Sequence, residues 1–191
     1  MGNEGAKKGP LLGLKPKQIA MLKTNTEYTE KDIQEWHDDF LRSSPTGELN
    51  KKQFIDMYKK FYRNRNADAY CSLVFSTFDT NDDGMIDFNE FLLAVAATFQ
   101  GSLDDRLDVA FDICDTSGDN KITQEELATM ISATYDLLGQ TNRIGYNDPK
   151  ERAAKIISIL DANRDRKLSK NEFINGCKND PILRRLLTQE I

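Results

Sequence analysis

Apolar residues recur at three- and four-residue spacing along most of the chain, the period of one face of an α-helix. The apolar stretches come in pairs, and each pair flanks a short polar run. Around the polar run that starts at Asp79, the preceding stretch contains Cys71, Val74, Phe75 and Phe78, and the following one contains Phe91, Leu92, Val95 and Phe99. The pattern predicts an all-α fold built from helix–loop–helix units, with short β-bridges between paired loops.

The polar runs form an internal repeat. Segments 79–83, 115–119 and 161–165 each begin and end with aspartate, and each is followed by Ile or Leu and then by a glutamate. Repetition at a spacing of roughly 35–45 residues indicates that one structural unit recurs along the chain.

Segment 79–90 fits the calcium-loop pattern D-x-[DN]-x-[DN]-G-x5-E at every fixed position. Calcium takes six to eight oxygen ligands, which side chains at alternate positions and one backbone carbonyl can supply together. Gly84 permits the sharp turn within the loop. The predicted ligands are Asp79, Asn81, Asp83, the Met85 carbonyl, Asp87 and Glu90.

Two further segments carry oxygen ligands at the same positions but lack the turn glycine. In segment 115–126 the turn residue is Asn120, which tolerates a left-handed backbone, whereas in segment 161–172 it is Arg166, which tolerates it poorly. Basic residues within 161–172 also repel a dication, so a weaker site is expected there and its occupancy stays open. The predicted ligands are Asp115, Ser117, Asp119, the Lys121 carbonyl, Thr123 and Glu126 in the first segment, and Asp161, Asn163, Asp165, the Lys167 carbonyl, Ser169 and Glu172 in the second.

Segment 42–53 occupies the place of a fourth repeat, but its chemistry is wrong for a metal. Arg42 replaces the first carboxylate, Gln53 replaces the last, and Pro45 stiffens the loop. We expect this loop to be structural, with Leu49 pairing it to the loop at 79–90 through Ile86.

Composition narrows the function classes. The net charge of −5 argues against nucleic-acid binding. His37 is the single histidine and has no evident nucleophile beside it, so no enzymatic activity is expected. Three widely spaced cysteines indicate reduced thiols and a cytoplasmic location.

Together these motifs resemble the neuronal calcium sensor family, and most nearly its hippocalcin, neurocalcin and visinin-like branch. The resemblance runs from about Leu14 to Leu187 and rests on Asn25–Thr29, Gln34–Trp36, Ser44–Leu49, Phe78–Gly84 and Lys167–Phe173. It implies a basic N-terminal arm and helix (1–24), an EF-hand pair with a degenerate first hand (25–100) and a second pair (101–191), with a hinge near Gly101. The family usually has cysteine where this chain has Ser44.

The resemblance also implies a calcium sensor that regulates membrane-associated target proteins. In sensor hands, calcium opens the helix pair and exposes apolar side chains, which could bind an amphipathic helix of a partner. The candidate groove residues are Trp36, Phe40, Phe54, Tyr58, Phe61 and Phe91. The alternative is a calcium buffer, in which the helix pairs open little when calcium binds. A homodimer formed through the exposed groove is a further possibility.

The N-terminus offers a second means of membrane attachment. Gly2, which N-myristoylation requires, is present, but Ala6 stands where the motif has Ser or Thr. Residues 5–26 contain five lysines and no carboxylate, which favours an anionic membrane surface. Peripheral membrane association on calcium binding is therefore one expectation, and an unmodified solubilising tail is the other.

Overall fold

The structure, a computed structural model, describes residues 13–61 and 66–188 of the chain, with the side chains of Lys60, Phe61, Phe99 and residues 186–188 left aside. Its helices within these ranges are α1 (Pro16–Asn25), α2 (Glu30–Ser43), α3 (Lys51–Phe61), α4 (Asp68–Phe78), α5 (Phe88–Phe99), α6 (Leu103–Cys114), α7 (Gln124–Leu138), α8 (Pro149–Leu160), α9 (Lys170–Asn179) and α10 (Pro181–Thr188), and a 3-10 helix covers Gly145–Asn147. The predicted all-α fold is confirmed.

Four short strands connect the loops in pairs. They are β1 (Glu48–Asn50), β2 (Met85–Asp87), β3 (Lys121–Ile122) and β4 (Leu168–Ser169). β1 pairs antiparallel with β2, where Leu49 faces Ile86, and β3 pairs antiparallel with β4, where Ile122 faces Leu168. All four of these apolar side chains are fully buried. The predicted pairing of the degenerate first loop with the second is confirmed.

The helix that follows each acidic loop starts in the same way. Asp87, Thr123 and Ser169 each accept a hydrogen bond from the backbone N–H three residues later, and the glutamate at that later position accepts one in return. This reciprocal capping box satisfies donors that a helix N-terminus otherwise leaves unpaired. The ninth and twelfth loop residues therefore both begin the helix and line the loop.

One continuous core joins the two halves of the chain. α4 packs against α6 and α7, and the short link Gln100–Ser102 joins α5 to α6. α1 packs on α2 and α5, while α10 packs on α6, α7 and α9. In the described ranges, no helix combines the length and the apolar character needed to cross a membrane.

Candidate metal centres

The first carboxylate of each acidic loop is held by backbone N–H groups of its own loop. Asp79 accepts from the N–H of Asp83 through Oδ1 (3.1 Å) and from that of Gly84 through Oδ2 (2.9 Å). The equivalent bonds recur at Asp115, which accepts from Asn120, and at Asp161, which accepts from Arg166, both at 2.8 Å. Each loop is thus folded around its first carboxylate.

The last carboxylate closes each loop from the opposite side. Glu90 Oε1 accepts from the Thr80 N–H at 3.0 Å, while Oε2 accepts from the Asp87 N–H at 3.0 Å. Glu126 bridges Ser117 and Thr123 in the same way, and Glu172 bridges Ala162 and Ser169. The glutamate therefore links the start of each loop to the helix that follows it.

Backbone conformation at the fourth and sixth loop positions explains the turn residues. At the sixth position Gly84, Asn120 and Arg166 all have positive φ (81°, 62° and 64°), as the sequence requires for a competent loop. The fourth position is also left-handed, with φ of 56° at Asp82 and 65° at Arg164. The sequence pattern did not predict a left-handed residue at the fourth position. Only one of the three loops has glycine there, Gly118, so the sequence gives little sign of it. Loop 161–172 therefore places two arginines where side chains are disfavoured.

Hydrogen bonding keeps several loop carboxylates ionised. Burial raises the pKa of the Glu126 carboxyl, but hydrogen bonds from Thr123 and Ser117 outweigh it, so the pKa is lowered overall. The same balance lowers the pKa of Glu172. The Asp119 pKa is lowered chiefly by a hydrogen bond from Lys167. Glu126, Glu172 and Asp119 are therefore anionic near neutral pH, as carboxylate ligands of calcium must be.

The ligand chemistry of the three loops fits a hard cation. Within 13–61 and 66–188 no three Asp, Glu, His or Cys side chains are gathered closely enough to hold a metal alone. Each loop instead combines carboxylates with amide, hydroxyl and carbonyl oxygens, the mixed set that calcium accepts. Nitrogen and sulfur ligands are absent from the loop positions, which disfavours zinc.

Loop 42–53 has the shape of the others without their charge. Gln53 and Asn50 exchange the same reciprocal bonds as the capping boxes, both at 2.9 Å. Arg42 pairs instead with Asp39 on α2 at 2.7 Å. The Ser44 hydroxyl is buried and donates to the Glu48 carbonyl. The loop is therefore closed by neutral side chains.

Among the described residues, the predicted groove residues make two sets of aromatic ring contacts within one continuous core. Phe91 on α5 contacts Trp36 (6.0 Å between ring centroids) and Phe40 (5.2 Å) on α2. Phe54 and Tyr58 on α3 contact each other at 6.2 Å instead. Phe40, Phe54 and Phe91 are buried, whereas Trp36 and Tyr58 are half-buried. The Phe61 side chain lies outside the described residues, as does Gly2.

Three further aromatic residues that sequence reasoning did not single out for the groove take part in these contacts. Phe88 stacks edge-on against Phe40 at 5.5 Å. Phe75 and Phe78 on α4 pack against Phe54 at 5.8 Å and 6.0 Å. Phe75 and Phe78 lie on the helical face that the apolar pattern identifies, whereas Phe88, at the start of α5, was not part of that pattern. The pattern alone does not say which ring each one meets.

Comparison with known proteins agrees with this geometry. Residues 104–178 match the family model "EF-hand domain pair", and residues 72–95 match the model "EF hand". Neuronal calcium sensor 1 of Lymnaea stagnalis is 34% identical over 177 residues (92% of this chain and 93% of the relative). S-modulin of Aquarana catesbeiana is 34% identical over 168 residues, which cover 85% of this chain and 83% of the relative. Human recoverin is 32% identical over 173 residues, which cover 88% of this chain and 86% of the relative. The chain therefore belongs to the neuronal calcium sensor family of EF-hand proteins, and it is a calcium-binding sensor protein rather than an enzyme.

Proposed function

We propose that loops 79–90 and 115–126 are calcium sites of sensor affinity, that loop 161–172 is a weaker third site, and that calcium exposes apolar surface for a partner helix. Sensor hands of this ligand type work in the range of about 10⁻⁷–10⁻⁵ M. The similarity to neuronal calcium sensor 1 supports the proposal, as does the repeated folding of the three loops around their first and last carboxylates.

One observation carries the switching part of the proposal. Glu90, the last predicted ligand of its loop, directly precedes Phe91 in the first turn of α5. Phe91 in turn contacts Trp36 and Phe40 on α2. A change at the Glu90 carboxylate is therefore transmitted through one turn of helix to the α2–α5 interface. Opening that interface would expose the aromatic rings that a partner helix could bind.

Membrane association is the second part of the proposed function. Lys15, Lys17 and Lys23 on and beside α1 are exposed, so they are available to an anionic surface. Gly2, Ala6, Lys7 and Lys8 lie outside the described residues. A single myristoyl chain at Gly2 would give only marginal affinity, about 10⁴ M⁻¹, and the lysines would supply the second contribution. Each bound calcium adds +2 to a net charge of −5, which reduces repulsion from the same surface.

Calorimetric titration of the chelator-treated protein tests the sites. Glu90→Gln removes the last carboxylate of loop 79–90 and should lower the calcium stoichiometry by one. Glu48→Gln is the matched control, because it makes the same acid-to-amide change in the loop that carries no metal ligands. Equal stoichiometry in Glu90→Gln and the unchanged protein would refute the assignment of this loop.

Fluorescence of an apolar dye separates the sensor from the buffer. Calcium should raise dye fluorescence in the unchanged protein and in Glu48→Gln, and raise it less in Glu90→Gln. A flat response with normal calcium uptake would show a buffer instead, since buffer hands bind calcium with little opening.

A further inference from the structure

Two lysine side chains cross between the loops of the C-terminal half. Lys121 Nζ lies 2.7 Å from Asp165 Oδ2, and Lys167 Nζ lies 2.8 Å from Asp119 Oδ2. Both lysines occupy the seventh position of their own loop, and both aspartates occupy the fifth. The contacts are therefore reciprocal, and each loop supplies one cation to the other.

The short sheet between the loops holds the two lysines in place. Lys121 opens β3 and pairs with Ser169 in β4, while Lys167 immediately precedes β4. The adjoining pair, Ile122 and Leu168, is fully buried, so the register of the two loops is fixed by the core. This register brings the seventh residue of each loop beside the fifth residue of the other.

Each aspartate also accepts a backbone hydrogen bond that does not involve the opposing lysine. The Asp119 carboxylate accepts the Lys121 backbone N–H through Oδ1 at 2.9 Å, and Asp165 accepts the Lys167 N–H in the same way at 2.9 Å. The opposing ammonium group meets the other oxygen, Oδ2. Removing a lysine side chain therefore removes a charge but leaves the backbone bond that positions the aspartate.

We propose that Lys121 and Lys167 act in trans, each weakening calcium binding by the loop opposite its own; this rests on the calcium sites proposed above in loops 115–126 and 161–172. A fixed ammonium group beside a ligand carboxylate repels an incoming dication. The side chains are 43% (Lys121) and 37% (Lys167) exposed, so solvent and salt screen part of the effect. We expect each lysine to weaken the opposite site by roughly three- to tenfold.

The effect is directed at the opposite loop because of where the charge sits. Within its own loop, Lys121 supplies the predicted carbonyl ligand and the backbone N–H that Asp119 accepts. Its ammonium charge acts on Asp119 only as the smallest of the influences on the pKa of that carboxyl. Its ammonium group is placed at Asp165. A side-chain substitution at Lys121 therefore changes the electrostatics of loop 161–172 more than those of loop 115–126.

Single-site proteins, variants that keep only one of the three proposed calcium sites, allow the affinity of each loop to be measured separately. Glu90→Gln with Glu126→Gln leaves loop 161–172 as the calcium site, and Glu90→Gln with Glu172→Gln leaves loop 115–126. Lys121→Met and Lys167→Met are introduced separately into both proteins, and calcium affinity is measured by competition with a chromophoric chelator. Lys178→Met is the matched control, because Lys178 pairs with Asp104 away from the loops and its loss changes the net charge equally.

Lys121→Met should tighten loop 161–172 by roughly three- to tenfold and leave loop 115–126 within about twofold. Lys167→Met should do the reverse, Lys178→Met should change neither, and raising the salt concentration should reduce both effects. Circular dichroism in chelator identifies a variant that fails to fold, in which case Lys→Gln replaces Lys→Met at that position.

Four outcomes would overturn the proposal. A larger effect on the lysine's own loop would place the action in cis, and weakened binding at both loops would make the ion pairs structural supports. Unchanged affinity in single-site proteins that do bind calcium would reject the lysine proposal alone. A single-site protein that takes up no calcium would reject the proposed site in that loop, and the trans effect on it as well.

Discussion

The ring centroids of Phe91 and Phe40 lie 5.2 Å apart. Phe91 directly follows Glu90, the last predicted ligand of loop 79–90. A loop carboxylate and a buried interhelical contact are therefore neighbours in sequence and in the same helical turn. The loop is therefore connected to the α2–α5 interface directly, with no other helix or strand between them. It also makes Phe91 a residue at which stability and switching are expected to be linked.

Phe91→Ala should lower the free energy of unfolding by about 3 kcal/mol, because it removes a buried ring from contact with Trp36 and Phe40. Urea denaturation in chelator measures this loss. Tyr146→Ala provides the comparison, since Tyr146 is 95% exposed and its truncation should cost under about 0.5 kcal/mol. Similar losses in the two variants would mean that the Phe91 ring is not a packed part of the core.

Arg166→Gly and Arg166→Gln separate charge from backbone strain in loop 161–172. Both remove a charge from the loop and should raise its calcium affinity by about two- to threefold in the Glu90→Gln, Glu126→Gln protein. Arg166 has a φ of 64° in the structure, a left-handed conformation that is strained for a residue with a side chain. Only Arg166→Gly should therefore raise the stability in chelator, by about 1 kcal/mol.

Chelator competition and urea denaturation measure these two quantities. A much tighter site in Arg166→Gly than in Arg166→Gln would show that the loop adopts its left-handed turn only when calcium binds. No gain in either variant would show that the arginine charge does not weaken the site.

Gly101→Ala should destabilise the link between the two halves. A Cβ at this position would lie 2.4 Å from the Ala97 carbonyl oxygen and 2.7 Å from the Asp105 Cβ, so backbone would have to move. We expect a loss of about 2–3 kcal/mol, measured by urea denaturation. Gly139→Ala meets no atom within 4 Å and strains only its φ of 71°, which should cost about 1 kcal/mol. Equal losses would show that the Gly101 clash is relieved at no cost.

The sequence predicted the loops well because their chemistry is local. Twelve-residue spacing identifies the first and last carboxylates, and the apolar residue after the turn predicts the pairing of Leu49 with Ile86. The cross-loop ion pairs could not be predicted, because Lys121 and Asp165 are 44 residues apart and no local pattern connects them. The division of the groove aromatics into two sets of ring contacts was also missed, since it depends on which helices pack together.

The three cysteines should resist alkylation in the folded protein. Burial is the main cause that raises the pKa of Cys71 and of Cys177 from 9.0 to about 12, and it raises the pKa of Cys114 as well. Because the thiolate is the reactive form, native labelling by iodoacetamide near pH 8 should be at least ~10-fold slower than in concentrated urea. Mass spectrometry of the labelled protein measures this, and fast native labelling would show that the thiols are accessible.

The same pKa shifts predict how stability depends on alkaline pH. A thiol whose pKa is raised by folding contributes its full stabilisation below the unfolded pKa of 9.0, and this contribution is lost as the pH rises from there toward about 12. The free energy of unfolding should therefore fall above about pH 9. Cys71→Ala should make this fall shallower, because one of the groups responsible is gone, and urea denaturation across the alkaline range measures the slope. An unchanged slope in Cys71→Ala would contradict the assignment of this pH dependence to the buried thiol.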